Sequence, residues 1–185
     1  DKMMNVFTWD AIRQDDYDVD YQNYYTFLGV LPQRELFVAT ANALLKTGDK
    51  ERALKILDKC QESMPDKVWP LESIPLGFYT NDYMVVNMVS DYLAAGAPEK
   101  AAELGSRMGH ELLKTAGFYM QFYEYAGEDF ERACQFLYYL VDELEKGGEK
   151  NVSHELKLSL VALMRSSLPD EDAEFDQADS SAHED

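Results

Sequence analysis

The chain has 185 residues, 46% of them apolar and 12% aromatic, which is enough for one packed domain and argues against disorder along its whole length. Seventeen Lys and Arg stand against thirty-five Asp and Glu, a formal charge of −18 that repels nucleic-acid phosphates and anionic bilayers. No run approaches eighteen uncharged apolar residues, so no segment is expected to span a membrane.

In chain order, Asp1–Leu31 is expected to be an aromatic and acidic arm, holding Phe7, Trp9, Tyr17, Tyr21, Tyr24, Tyr25 and Phe27, with a short helix near Tyr21–Leu28 that packs against the first repeat of the domain. Opening at Asp1 with no charged-then-apolar leader, the sequence reads as a fragment or a processed chain. Residues 32–168 form the domain proper. Gly48-Asp49-Lys50-Glu51-Arg52-Ala53 recurs as Gly96-Ala97-Pro98-Glu99-Lys100-Ala101, and one residue longer as Gly127-Glu128-Asp129-Phe130-Glu131-Arg132-Ala133. Each copy joins a helix stop to a helix start. Gly accepts the left-handed conformation, Asp49 and Asp129 suit an N-cap, and Pro98 suits a first turn. The apolar spacing on both sides is helical. Three helical hairpins are therefore expected at about Pro32–Ser63, Asn81–Lys114 and Phe118–Lys146. A capping helix comes after them around Val152–Ser167, where Asn151-Val152-Ser153 suits an N-cap as well as a glycosylation sequon. Asp66–Thr80, with Trp69-Pro70 and Ile74-Pro75, is expected to be a non-helical excursion held by its aromatics. Pro169–Asp185 carries eight acids and no Lys or Arg and is expected to be disordered.

The first hairpin resembles a tetratricopeptide repeat. With Arg34 as its first residue, Ala41, Leu44, Gly48, Ala53, Leu57, Cys60 and Pro65 fall where that motif places small residues, bulky apolar residues and its closing Pro. The resemblance implies an all-α, tetratricopeptide-like α-solenoid of about three hairpins plus the capping helix, stacked in a right-handed superhelix. The second unit keeps Tyr92, Gly96 and Ala101 but has Gly105 where a bulky residue is expected. The candidate binding groove is lined by Val38, Asn42, Leu45, Tyr83, Val86, Asn87 and Ser90. Asn42 and Asn87 match the two Asn of a carboxylate clamp, but Val38 replaces the Lys that precedes the first, so a neutral, basic or extended apolar segment fits the groove better.

Catalytic patterns are scarce. His110-Glu111 and His154-Glu155 begin like zinc-protease helices, yet Lys114 and Leu158 stand where the second His belongs. Asp16, Asp18 and Asp20 alternate like calcium ligands, but Tyr21 and Phe27 replace the required Gly and Glu. No cofactor, metal or catalytic residue is assigned. Cys60 and Cys134 lie within apolar helical patterns as small hydrophobes.

Lys2-Met3-Met4-Asn5, with Phe7 and Trp9, followed by Arg34–Pro65 and Val68-Trp69-Pro70, resembles the C-terminal soluble region of a family of large bacterial multi-pass membrane proteins. That family, filed as a domain of unknown function, is itself similar to protein O-mannosyltransferases. The resemblance implies a membrane-embedded catalytic part upstream of Asp1. It makes this chain a non-catalytic interaction domain on the periplasmic side of the inner membrane, binding a protein or peptide such as the glycosylation acceptor or the parent's own membrane domain. The alternative is a free-standing cytoplasmic adaptor that binds a peptide.

Overall fold

The structure, a computed structural model, describes residues 2–5, 7–9, 13, 30–72 and 80–166. Seven helices occur there: α1 (Lys2–Asn5), α2 (Val30–Lys46), α3 (Lys50–Ser63), α4 (Thr80–Ala95), α5 (Pro98–Met120), α6 (Tyr123–Lys146) and α7 (Lys150–Ser166). The described residues contain no strand, and the protein is all-α.

Among the described residues three glycines have positive φ, at +81° for Gly48, +86° for Gly96 and +89° for Gly148. Each closes a helix in the same way. The amide one residue beyond the glycine donates to a carbonyl five residues back: Asp49 to Leu44 at 2.9 Å, Ala97 to Tyr92 at 2.9 Å and Glu149 to Leu144 at 2.8 Å. This satisfies carbonyls that the helix end would otherwise orphan. At the first turn the Asp49 carboxylate then caps α3 by accepting from the Arg52 amide at 3.1 Å.

The third turn is therefore at Gly148 and not at Gly127. Gly127 lies inside α6, one residue after a kink at Ala126 (φ −131°, ψ 27°), while the chain reverses at Gln121-Phe122. The expected hairpin at Phe118–Lys146 is thus divided: Phe118 belongs to α5, and α6 pairs onward with α7. The expected capping helix is the second arm of that last hairpin. Asn151 sits in the first turn of α7 rather than capping it.

With Gly148 in register, the three hairpins align position by position. Eleven, seven and four residues before the glycine stand Phe37, Ala41 and Leu44; Val85, Val89 and Tyr92; and Leu137, Val141 and Leu144, of which all but the half-buried Leu44 are core. Five residues after it come Ala53, Ala101 and Ser153, each 0–1% exposed, where the paired helices approach closely. The main contacts of each helix are with its neighbours and next-but-one neighbours: α2 meets α3 and α4, α4 meets α5 and α6, and α7 meets α6 and α5.

Glycines also act as sockets for leucines. Leu144 of α6 lies against Gly105 of α5, Leu156 of α7 against Gly109, and Leu93 of α4 against Gly147. Gly105 stands where the repeat motif wants bulk, and the bulk comes instead from Leu144 on the next hairpin.

Between α3 and α4, residues 64–72 are non-helical, with Trp69 1% exposed. A buried polar knot fixes them. Arg34, 2% exposed, donates to the carbonyls of Pro70 (3.1 Å) and Trp69 (3.2 Å) and to Asn81 Oδ1 (2.7 Å). Asn81 Nδ2 donates to the Leu71 carbonyl at 2.6 Å. From the N-terminal residues, Trp9 packs on Phe37 with centroids 5.2 Å apart, and Arg13 pairs with Glu62 at 2.7 Å. The expected helix at Tyr21–Leu28, the Asp16–Asp20 run and the tail from Pro169 lie outside the described residues.

Candidate functional site

Tyr83, Asn87 and Ser90 recur at i, i+4 and i+7 on α4, which places them on one helical face. This face borders α6, and between the two helices lies a cleft of about 410 Å³ lined by Tyr83, Val86, Asn87, Ser90, Tyr139, Asp142, Glu143 and Lys146. Tyr83 is 50% exposed, with its ring edge-on to Phe136 at 5.0 Å and tilted against Tyr139 at 6.1 Å. Asn87 is exposed, and its side chain makes no hydrogen bond among the described residues. Lys146 bridges Asp142 (2.6 Å) and Glu143 (3.2 Å), and hydrogen bonds to these two carboxylates raise its pKa.

The floor of the cleft is a repeated hydrogen bond. Ser90, six residues before its turn glycine, donates to Glu143, five residues before the next one. One hairpin earlier, Asn42 and Asp91 hold the same two positions, and Asn42 Nδ2 lies 3.0 and 2.9 Å from the two Asp91 oxygens. Asp91 is 6% exposed, and burial pushes its carboxyl up to about 6 against the opposing pull of Asn42 and Lys46.

Of the seven groove residues expected from sequence, four line this cleft: Tyr83, Val86, Asn87 and Ser90. Val86 is only its buried wall. The three from α2 do not join them. Val38 is 6% exposed within the core and Leu45 is half-buried. Asn42 is committed to Asp91, so an internal carboxylate already occupies the amide that a carboxylate clamp would offer. The α6 half of the cleft was missed because its register was counted from Gly127. Counted from Gly148, Asp142 falls at the position of Asn42 and Ser90, and Glu143 at that of Asp91.

A second polar hollow, of about 510 Å³ between residues 66–72 and α5, contains Arg107, which pairs with Asp66 and donates to Gln61 Oε1 at 2.6 Å, and Glu72, which accepts from Thr115 at 3.2 Å. His110 Nδ1 lies 2.7 Å from the Ser106 carbonyl and therefore carries the proton of that bond, while Nε2 lies 3.5 Å from Glu155. Among the described residues no three His, Cys, Asp or Glu are placed to share a metal ion, and no helix is long and apolar enough to cross a membrane. Cys60 is 1% exposed, and burial pushes its thiol up to about 12, which makes it inert; Cys134 is half-buried. The cleft thus offers two phenols, an amide, a Ser90–Glu143 pair and the Lys146 ammonium at a surface.

Comparison of the chain with protein-family models, with curated proteins and with solved structures finds no match.

Proposed function

We propose that the chain is a non-catalytic interaction module, a tetratricopeptide-like α-solenoid that holds an extended protein segment in the cleft between α4 and α6. The observation that carries this reading is the cleft itself: a half-exposed Tyr83 and the exposed Asn87 side-chain amide, which makes no hydrogen bond among the described residues, border it, while Ser90, Glu143 and Lys146 beside them are spent on contacts within the fold. An exposed amide and tyrosine edges suit main-chain and side-chain groups of a bound segment. The stacking reading rests on the repeated left-handed glycine turn and on the Asn42–Asp91 and Ser90–Glu143 bonds, which join successive hairpins at one register. On the family resemblance, the module serves a membrane-embedded glycosyltransferase-like parent at the cell envelope and presents it with an acceptor or a partner protein.

The test is site-specific photocrosslinking from position 87 in cells, with position 103 on the exposed face of α5 as the control. A defined protein adduct from position 87, lost on Tyr83→Ser, supports the reading. Adducts that are the same from both positions, or unaffected by Tyr83→Ser in a folded chain, refute it. Substituting Asn42 or Ser90 is a poor test, since both bonds hold the fold.

A further inference from the structure

Where α5 and α6 meet, the pair outgrows its neighbours. Both α3 and α5 begin two residues after their turn glycine, but α5 has 23 residues and α3 has 14. At ~1.5 Å per residue the excess carries the end of α5 about 14 Å further. On this projecting tip Phe118, Phe122, Tyr123 and Tyr125 are 57%, 48%, 52% and 90% exposed. Phe118 is tilted against Phe122 with centroids 5.4 Å apart, and the kink at Ala126 sets the first turn of α6 apart from the rest of the helix. The fold uses Tyr123, which meets Phe130 edge-on at 5.6 Å and donates to Glu131 at 3.0 Å, but not Tyr125. Tyr125 buries almost nothing, and a cluster of large exposed aromatics marks a contact surface. Its surroundings are acidic: Glu124, Glu128, Asp129 and Glu131 face the single cation Arg132 within ten residues of chain.

We propose that this tip is a second docking surface, separate from the cleft, for an apolar protein segment that carries Arg or Lys. The rings attract a guanidinium or ammonium through their faces while burying its apolar neighbours. The exposed carboxylates of Glu124 and Glu128 complete charge-assisted bonds to it. The −18 charge of the whole chain steers a basic segment inward and repels nucleic acid and anionic lipid. A neutral bilayer would accept the rings but strip water from the neighbouring carboxylates.

The probes are a short fluorescent peptide of alternating Arg and Leu, its Glu-Leu counterpart, and phosphatidylcholine vesicles, each titrated with the full chain. The Arg-Leu peptide is expected to bind and the other two are not. Phe122→Ser/Tyr125→Ser is expected to weaken that binding about tenfold or more, a ~1.4 kcal/mol loss, at an unchanged melting temperature. Glu124→Lys/Glu128→Lys is expected to weaken it and flatten its salt dependence. A distant pair of exposed acids, Glu51→Lys/Glu103→Lys, leaves it within twofold. Binding that ignores the aromatic pair, or falls equally with the distant pair, overturns the proposal by revealing diffuse charge attraction. Binding of the Glu-Leu peptide overturns it, as does capture by the vesicles that depends on Phe122 and Tyr125.

Discussion

Gly109→Ala and Gly117→Ala make the same chemical change on the same helix and should have opposite signs. A methyl at position 109 would lie 2.5 and 2.6 Å from the two Cδ atoms of Leu156 and 3.1 Å from its Cγ. Leu156 is 1% exposed, so rotation moves one methyl away only by driving the other into its neighbours, and α7 must shift. Overpacking of this kind costs about 1–3 kcal/mol, against a gain of ~1 kcal/mol from replacing a mid-helix glycine. The net expectation is a loss of about 1 kcal/mol, or roughly 2–4 °C in melting temperature. At position 117 the nearest side-chain atom is Leu163 Cδ1 at 3.5 Å, an ordinary contact, so only the gain remains and the variant should be stabilised by up to ~1 kcal/mol. Urea unfolding followed by circular dichroism measures both. Leu156→Ala alone should cost about 2–5 kcal/mol, and combining it with Gly109→Ala should cost less than the sum of the two, because the added methyl enters the space vacated. A Gly109→Ala protein at least as stable as the parent, or strict additivity in the double variant, refutes the socket.

Asp91, raised to about 6 by burial, keeps its proton in the folded state after the unfolded chain has lost it near 3.8, so its contribution is full below about pH 4 and is lost as the pH rises through 6. Asp91→Asn should therefore gain on the parent between pH 4 and 7, by on the order of 2 kcal/mol; a pH-independent difference in urea midpoint counts against this. Arg34→Met strands the Trp69 and Pro70 carbonyls and the Asn81 side chain and should cost about 2–4 kcal/mol, with a red-shifted Trp69 emission in a Trp9→Phe background. An unchanged emission and melting temperature would show that the knot is dispensable. Gly148→Ala forces a side chain to φ +89° and should lose about 1–2 kcal/mol, whereas Gly127→Ala, whose methyl would come no nearer than 3.5 Å to its closest neighbour, Tyr123, should be neutral or stabilising; the reverse order in thermal melts would restore the turn to Gly127.

The first two turns were legible because Gly, an N-capping Asp or N1 Pro, and Ala five residues on each have a local physical cause. The third copy is hidden because Ser153 replaces that Ala. Ser is small enough for the same close approach, and its hydroxyl finds the Lys150 carbonyl at 3.1 Å, but it breaks the letter pattern. Gly127 imitated a turn by composition alone, since a glycine inside a helix and one that ends it differ only in φ, which the flanking packing sets. Tyr83 and Asn87 could be placed together because helical spacing within one element shows a shared face. Glu143 could not, because its bond to Ser90 of α4 depends on inter-hairpin register. Nor does spacing reveal that Arg34 is buried: two of its three acceptors are backbone carbonyls, which have no sequence identity.

Among the described residues every substantial helix contact joins elements one or two places apart in the chain, from α2 with α3 and α4 to α7 with α6 and α5. Order of synthesis and order of assembly can therefore coincide. α2 and α3 can close on Gly48 while α6 and α7 are still being translated, and each later hairpin arrives at a finished template instead of a collapsed coil. Loop closure stays short throughout, which favours rapid folding and leaves little time for apolar helices to find the wrong partner.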